Sequence, residues 1–198
     1  METLGKLGFV YDVKHIAPNG EIVERQHFHN LMPDEGIRWA LTKVFLPDTM
    51  TPKWSHRTYD DVPYRNYSQL YVNFFKGLFT MNKKFDSMAT FYQQADELSE
   101  SEAILGYGCR FLAAGGGSDW DNGILDPTTN TLHFKEVVIE GFTQSTMLTG
   151  LFICAAHEAM SANTPYGLLI SEAFFPKPMF VEKGGKITAK CGCALISE

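Results

Sequence analysis

Apolar and polar residues alternate through Leu7, Phe9, Tyr11 and Val13, the period-two signature of a strand with one buried face. Two strands are predicted at the start, Leu7 to His15 and Glu21 to Phe28. Ala17-Pro18-Asn19-Gly20 joins them, and Asn-Gly suits both central positions of a type I′ hairpin turn. The period then changes. Ile37, Ala40, Leu41, Val44 and Phe45 fall at i, i+3, i+4, i+7 and i+8, one apolar stripe on a helix. Pro33 suits the first helical position, Asp34 and Glu35 face the positive end of the helix dipole, and Pro47 stops the run. The helix is expected over about residues 33–46, closing one end or face of a β core.

Strand-like segments resume at Gln69 to Phe79, Ile104 to Ala113, Leu132 to Ile139, Leu148 to Ala155, Gly167 to Phe175 and Lys186 to Ile196. Turn residues separate them: Gly115-Gly116-Gly117-Ser118, Asp121-Asn122-Gly123, Pro127, Asn163-Thr164-Pro165, Pro176-Lys177-Pro178 and Lys183-Gly184-Gly185. Asp86 to Ser101 adds a candidate short helix. The fold class is mainly β: a β-sandwich or jelly-roll-like domain with one short embedded α-helix. Residues 1–198 form a single domain with an N-terminal arm (1–6) and a long loop (46–66). A loop of that length is functional or interfacial more often than not. Trp54, Tyr59, Tyr64 and Tyr67 are its candidate interface anchors, and a loop packed on its own domain is the alternative.

Composition narrows the function classes. The chain has 198 residues, enough to bury roughly 70% of its unfolded surface without staples. Fifteen Phe and eight Tyr favour pleated, half-buried surfaces. The net charge of −6 and the lack of a Lys/Arg stripe argue against nucleic acid and against an anionic membrane. The longest apolar run, Leu148 to Ala156, is too short to span a bilayer. The N-terminus lacks a secretory signal, so folding in a cytosol is expected. Cys109, Cys154, Cys191 and Cys193 do not have the spacing of a secreted disulfide framework. They read as free thiols, with interchain bridges in an oxidising medium as the alternative.

Candidate chemistry is sparse. His27 and His29 share one strand face, as a metal site requires, and Gly20, His27, His29 and Glu35 follow the order of a cupin metal site. The spacing departs by about one residue on each side, and a one-residue shift turns a side chain to the opposite face. His133 and His157 lack the setting of a third ligand. Cys191-Gly192-Cys193 places two thiols on one face, but structural zinc uses Cys-x-x-Cys knuckles. Gly115-Gly116-Gly117-Ser118 has no following Lys-Ser/Thr and is not a phosphate loop. Asp119, Asp121 and Asp126 cluster around Trp120 without EF-hand spacing. No cofactor and no catalytic residue is expected.

An ordered series of short signatures resembles small accessory virion proteins of tailed bacteriophages. The first is Asn30-Leu31-Met32-Pro33-Asp34-Glu35-Gly36-Ile37, leading from a hairpin into a helix. Leu70-Tyr71-Val72-Asn73-Phe74 and Ala89-Thr90-Phe91 follow, then Glu97, Tyr107 and Arg110. Gly141-Phe142, Gly167-Leu168-Leu169, Phe174-Phe175 and the segment Lys183 to Leu195 complete the series. Leu70 and Asn73 stand where the group has Trp and Gly, and the 46–66 insertion is long. The resemblance implies a non-enzymatic structural protein located in the virion and made in the host cytoplasm. A capsid decoration (cement) protein that stabilises the assembled head is the leading expectation. A tail, collar or baseplate accessory is the alternative, and a cupin-like metal-dependent enzyme is a third. The implied partners are the major capsid protein or neighbouring virion proteins, with self-association as a dimer or trimer.

Overall fold

The structure is a computed structural model that describes residues 5–45, 53–54, 62–63, 67–76, 104–110, 123–134, 136–157 and 168–196. In chain order the elements are β1 (Lys6–Ile16), β2 (Ile22–Leu31), α1 (Asp34–Phe45), β3 (Lys53–Trp54), β4 (Val62–Pro63), β5 (Tyr67–Lys76), β6 (Ile104–Arg110), β7 (Gly123–Asp126), β8 (Thr131–Phe134), β9 (Val137–Ile139), β10 (Thr146–His157), β11 (Leu168–Val181) and β12 (Lys186–Ile196). The chain is mainly β, with antiparallel pairing throughout and one short helix among the described residues.

Two sheets make the body. The first runs β2-β1-β12-β8-β7, with β9 also beside β12; the second runs β11-β10-β5-β6. The hairpin turn comes out as the Asn-Gly dipeptide requires. Gly20 sits at φ +91° with open space around it, and its N–H donates to Ala17 O at 2.9 Å.

The alternation read along β1 sets the inner face of the first sheet. Phe9, Tyr11 and Val13 are buried there, opposite Cys193, Cys191 and Ala189 of β12 and Asn30, Phe28 and Gln26 of β2. This face meets the second sheet through Phe28 against Phe175, edge to face at 5.6 Å, and Phe175 against Phe74 at 6.4 Å. Tyr11 Oη donates to Ser171 Oγ at 2.5 Å, a buried bond between the sheets. The arrangement is sandwich-like.

The two central strands of the second sheet, β5 and β10, are buried on both faces over Leu70 to Phe75 and Leu148 to Ala155. Neither stretch has an exposed residue, as their near-continuous apolar sequences anticipate. On the face turned away from the first sheet, Phe75 stacks on Phe174 at 5.2 Å and packs on Phe152 at 5.1 Å.

Several elements differ from the sequence expectation. The expected strand Leu132 to Ile139 is two short strands, β8 and β9, pairing different stretches of β12. Gly123–Asp126, read as turn and acidic cluster, is a strand paired with β8. β11 runs on through Pro176 and Pro178 to Val181. It is an edge strand with a register shift there, which is where a sheet tolerates proline. Inside the 46–66 segment, Lys53–Trp54 and Val62–Pro63 pair as a small ribbon, so that stretch is not wholly irregular.

The helix begins one residue later than expected, because Ile37 N–H donates to Pro33 O at 3.0 Å and Pro33 precedes it. Its buried face is also rotated. Leu41 is 51% exposed, whereas Glu35, Gly36, Trp39 and Thr42 are buried. The partner decides this: α1 lies against strand edge β11, which presents backbone groups as well as apolar side chains.

Candidate functional site

The segment that carries the resemblance, Asn30 to Gly36, sits where the two sheets close against each other. β2 and β11 are edge strands of different sheets, and an open edge presents unpaired N–H and C=O groups. Here side chains pair them. Gln26 Nε2 donates to Lys177 O at 2.6 Å, and Lys177 N–H donates back to Gln26 Oε1 at 3.3 Å. The side-chain amide thus imitates a neighbouring strand. Asn30 Nδ2 donates to Glu172 O. Leu169 N–H donates to Glu35 Oε2 at 2.6 Å, a buried charge-assisted bond. Gly36 lets the helix approach: a Cβ there would meet Ile170 O at 2.5 Å and Met32 Cγ at 2.6 Å.

Each residue type follows from the job. Gln and Asn offer donor and acceptor together. Glu accepts an N–H that burial would otherwise leave unmade, at a cost of about 1–3 kcal/mol. Sequence reasoning placed Glu35 as a helix-dipole residue and Gln26 as an ordinary strand residue. The signal available was a polar residue at alternate, inward positions of β2.

The candidate ligands are not brought together. His27 and His29 lie exposed on the outer face of β2, while Glu35 points inward at β11. Cys191 is buried and Cys193 half-buried on the inner face of β12. Burial pushes the Cys193 thiol up to about 11. Cys154, in β10, is pushed up to about 12 by burial, although Asn73 donates to its sulfur at 3.4 Å. Cys154, Cys191 and Cys193 are free thiols. Among the described residues no group of three or more His, Cys, Asp or Glu converges.

Asp126 ends β7 and closes the turn into β8, accepting from Thr128 N–H at 2.8 Å and Thr129 Oγ1 at 2.9 Å. Those bonds, the Thr128 amide foremost, hold its carboxyl below the usual range. Its acidic neighbours Asp119 and Asp121 and the Gly115 to Ser118 loop lie outside the described residues. So do Tyr59, Tyr64, residues 1–4 of the arm and the candidate helix Asp86 to Ser101. Trp54 ends β3 opposite Val62, and Tyr67 opens β5 opposite His157. Tyr107 and Arg110 of β6 fall in register with Asn73 and Tyr71.

A hollow of about 220 Å³ lies against the loop after β9, lined in part by Glu140, Phe142, Thr143 and Gln144. The loop is pinned by Gly184 N–H donating to Phe142 O at 2.8 Å. No described helix is long and apolar enough to cross a membrane.

No family model, curated protein or solved structure matches the chain.

Proposed function

We propose that this chain is a non-enzymatic structural protein of a tailed-phage particle, acting as a head decoration protein that binds and stabilises the assembled shell. One observation supports the reading above others: the segment bearing the resemblance, Asn30 to Gly36, is the unit that seals β2 and α1 onto the edge of β11. The likeness therefore rests on residues that define this fold, not on an incidental surface run.

The proposed contacts lie on the N-terminal arm and on the 46–67 stretch, through Trp54, Tyr59, Tyr64 and Tyr67. Aromatic anchors dominate interface energetics. Each copy needs only a modest interface, because many copies on a regular lattice act together.

The test is cryo-electron microscopy of the native particle with a copy count. Ordered density over the whole shell is the expected result. A few copies confined to the neck, tail or baseplate would replace decoration with an accessory role there. Absence from purified particles would overturn both.

A further inference from the structure

The turn between β1 and β2 sets a side-chain amide directly before a glycine. Asn19 and Gly20 are exposed at its tip. Asn19 Nδ2 donates to Glu21 Oε2 at 2.9 Å, and Glu21 N–H donates to Asn19 Oδ1 at 3.0 Å. Gly20 N–H donates to Ala17 O at 2.9 Å and Ala17 N–H donates to Glu21 O at 2.8 Å, which closes the turn. Pro18 lies beside the turn between β11 and β12: a Cβ on Gly184 would be 3.6 Å from Pro18 Cγ.

The other described asparagines lack this setting. Asn73 is buried, precedes Phe74 and donates to the Cys154 sulfur at 3.4 Å. Asn30 is half-buried, precedes Leu31 and donates to Glu172 O. Asn130 is exposed but precedes Thr131, whose branched Cβ crowds the amide nitrogen between them. Asn122, which also precedes a glycine, lies outside the described residues. Gly20 carries no side chain, and a Cβ there would meet nothing within 4 Å. Its backbone nitrogen is therefore open to the Asn19 amide carbon. That carbon is polarised, because Oδ1 accepts the Glu21 N–H, and it stands in water.

We propose that Asn19 is a site of spontaneous deamidation, and that the change loosens the β1–β2 turn as the protein ages. The Gly20 nitrogen bonds to Asn19 Cγ while the Cγ–Nδ2 bond breaks. The proton lost from the Gly20 nitrogen goes to the leaving group, which departs as ammonia. Water then adds to one of the two carbonyls of the resulting succinimide and opens it, leaving aspartate or isoaspartate at position 19. In the closed turn the Gly20 N–H is engaged with Ala17 O, so the ring forms when the turn opens. Exposed loop tips open locally at little cost. Either product alters the turn. Aspartate removes the Nδ2 donor and sets a second carboxylate against Glu21, where like charges repel. Isoaspartate also routes the main chain through the side-chain carbon, adding one backbone atom between positions 19 and 20. The Ala17–Gly20 and Ala17–Glu21 bonds then no longer fit together. None of this rests on the virion reading.

The experiment incubates the full chain at neutral pH and follows it by peptide mapping with mass spectrometry. The peptide holding Asn19 should gain the mass of an amide turned into an acid, ahead of those holding Asn30, Asn73 and Asn130. Its product should separate into aspartate and isoaspartate forms, the mark of a succinimide. Urea-denatured protein should convert up to about tenfold faster, the scale set by one turn hydrogen bond. The variant Asn19→Asp stands in for one product. Its Ala17 and Gly20 amides should exchange hydrogen about two- to tenfold faster than in the unmodified chain, and Glu21→Gln in the same variant should reverse part of that change. No conversion at Asn19 in the native protein, conversion to aspartate alone, or unchanged exchange in Asn19→Asp would each overturn the proposal.

Discussion

The bond between Tyr11 and Ser171 offers the sharpest test of how the two sheets are held together. Both residues are fully buried, and the hydroxyls lie 2.5 Å apart. Tyr11→Phe keeps the ring, and with it the stacking on Phe28 at 5.2 Å and Phe9 at 6.1 Å, but strands the serine hydroxyl. Ser171→Ala strands the phenol. Leaving one buried partner unmade costs about 1–3 kcal/mol, whereas removing both is nearly neutral. Each single variant should therefore lose about 1.5 kcal/mol, a fall in Tm of about 3–6 °C for a chain of this size. The double variant should lose no more than either single one, giving a coupling of about 1.5 kcal/mol. Urea unfolding of the four proteins measures it. A double variant that loses the full sum of about 3 kcal/mol would refute the bond, because independent sites add.

The same residue has an alkaline signature. Burial foremost, with Cys191 adding to it, drives the Tyr11 phenol well above its ordinary value of 10.0. The folded state thus favours the neutral phenol. Its contribution to stability is complete below the unfolded value of about 10 and is lost as the pH rises toward the folded one. Tyr11→Phe should flatten that alkaline loss.

The remaining predictions concern the edge, the thiols and the acid limb. Glu35→Ala leaves Leu169 N–H without its carboxylate and should cost about 1–3 kcal/mol in chemical denaturation, with Glu35→Gln recovering part of it; an unchanged midpoint for the alanine variant would remove Glu35 from the seal. With the Cys154 and Cys193 thiols held at about 12 and about 11, native protein near neutral pH should react with a thiol reagent far more slowly than denatured protein at these two positions, which peptide mapping of the labelled protein reads; equal rates would refute the burial. Asp12 is held below its ordinary value, chiefly by its bond to Arg25, so its contribution is present above the unfolded value of about 3.9 and lost as the pH falls through the lowered folded one. Arg25→Gln should reduce the acid-induced loss in that window, measured by stability against pH.

How much of this was legible depends on what each residue answers to. β1 and β12 answer to their own pattern. Phe9, Tyr11 and Val13 point inward as alternation requires, and Lys186 to Ile196 is a strand with the expected bounds. The segments read as strands at Gln69 to Phe79 and Leu148 to Ala155 likewise carry strands, β5 and β10, and their apolar runs suit burial on both faces. The helix was read to the right place with its buried face shifted: Ile37 and Ala40 pack on the core as the stripe requires, but Leu41 does not, because periodicity assumes an apolar partner. α1 meets a strand edge, so a carboxylate and a glycine are buried and Leu41 is left in solvent. Gln26 and Asn30 could not be read as sealing residues from β2 alone, because their partners are 151 and 142 positions away in the chain. β11 hid its length behind two prolines, whose usual meaning fails at an edge with a bulge.

The polar residues of the first sheet divide by face, and the division bears on function. On the inner face they are committed to holding the fold. Gln26 and Asn30 bond the backbone of β11, and His15, 1% exposed, lies 2.9 Å from Glu182. Converting any of them to a ligand would open the edge between β2 and β11 or strand a buried polar group. On the outer face Asp12, Glu136 and Glu140 lie against Arg25, Lys14 and Lys186, Asp126 accepts from Thr128 and Thr129, and His27, His29 and Lys190 stand exposed. A partner that recognises this sheet can therefore gain electrostatic binding only from the outer side, and mutations there should change association while leaving unfolding midpoints nearly where they were. An inner-face substitution should do the reverse, so the two properties can be separated in one set of variants.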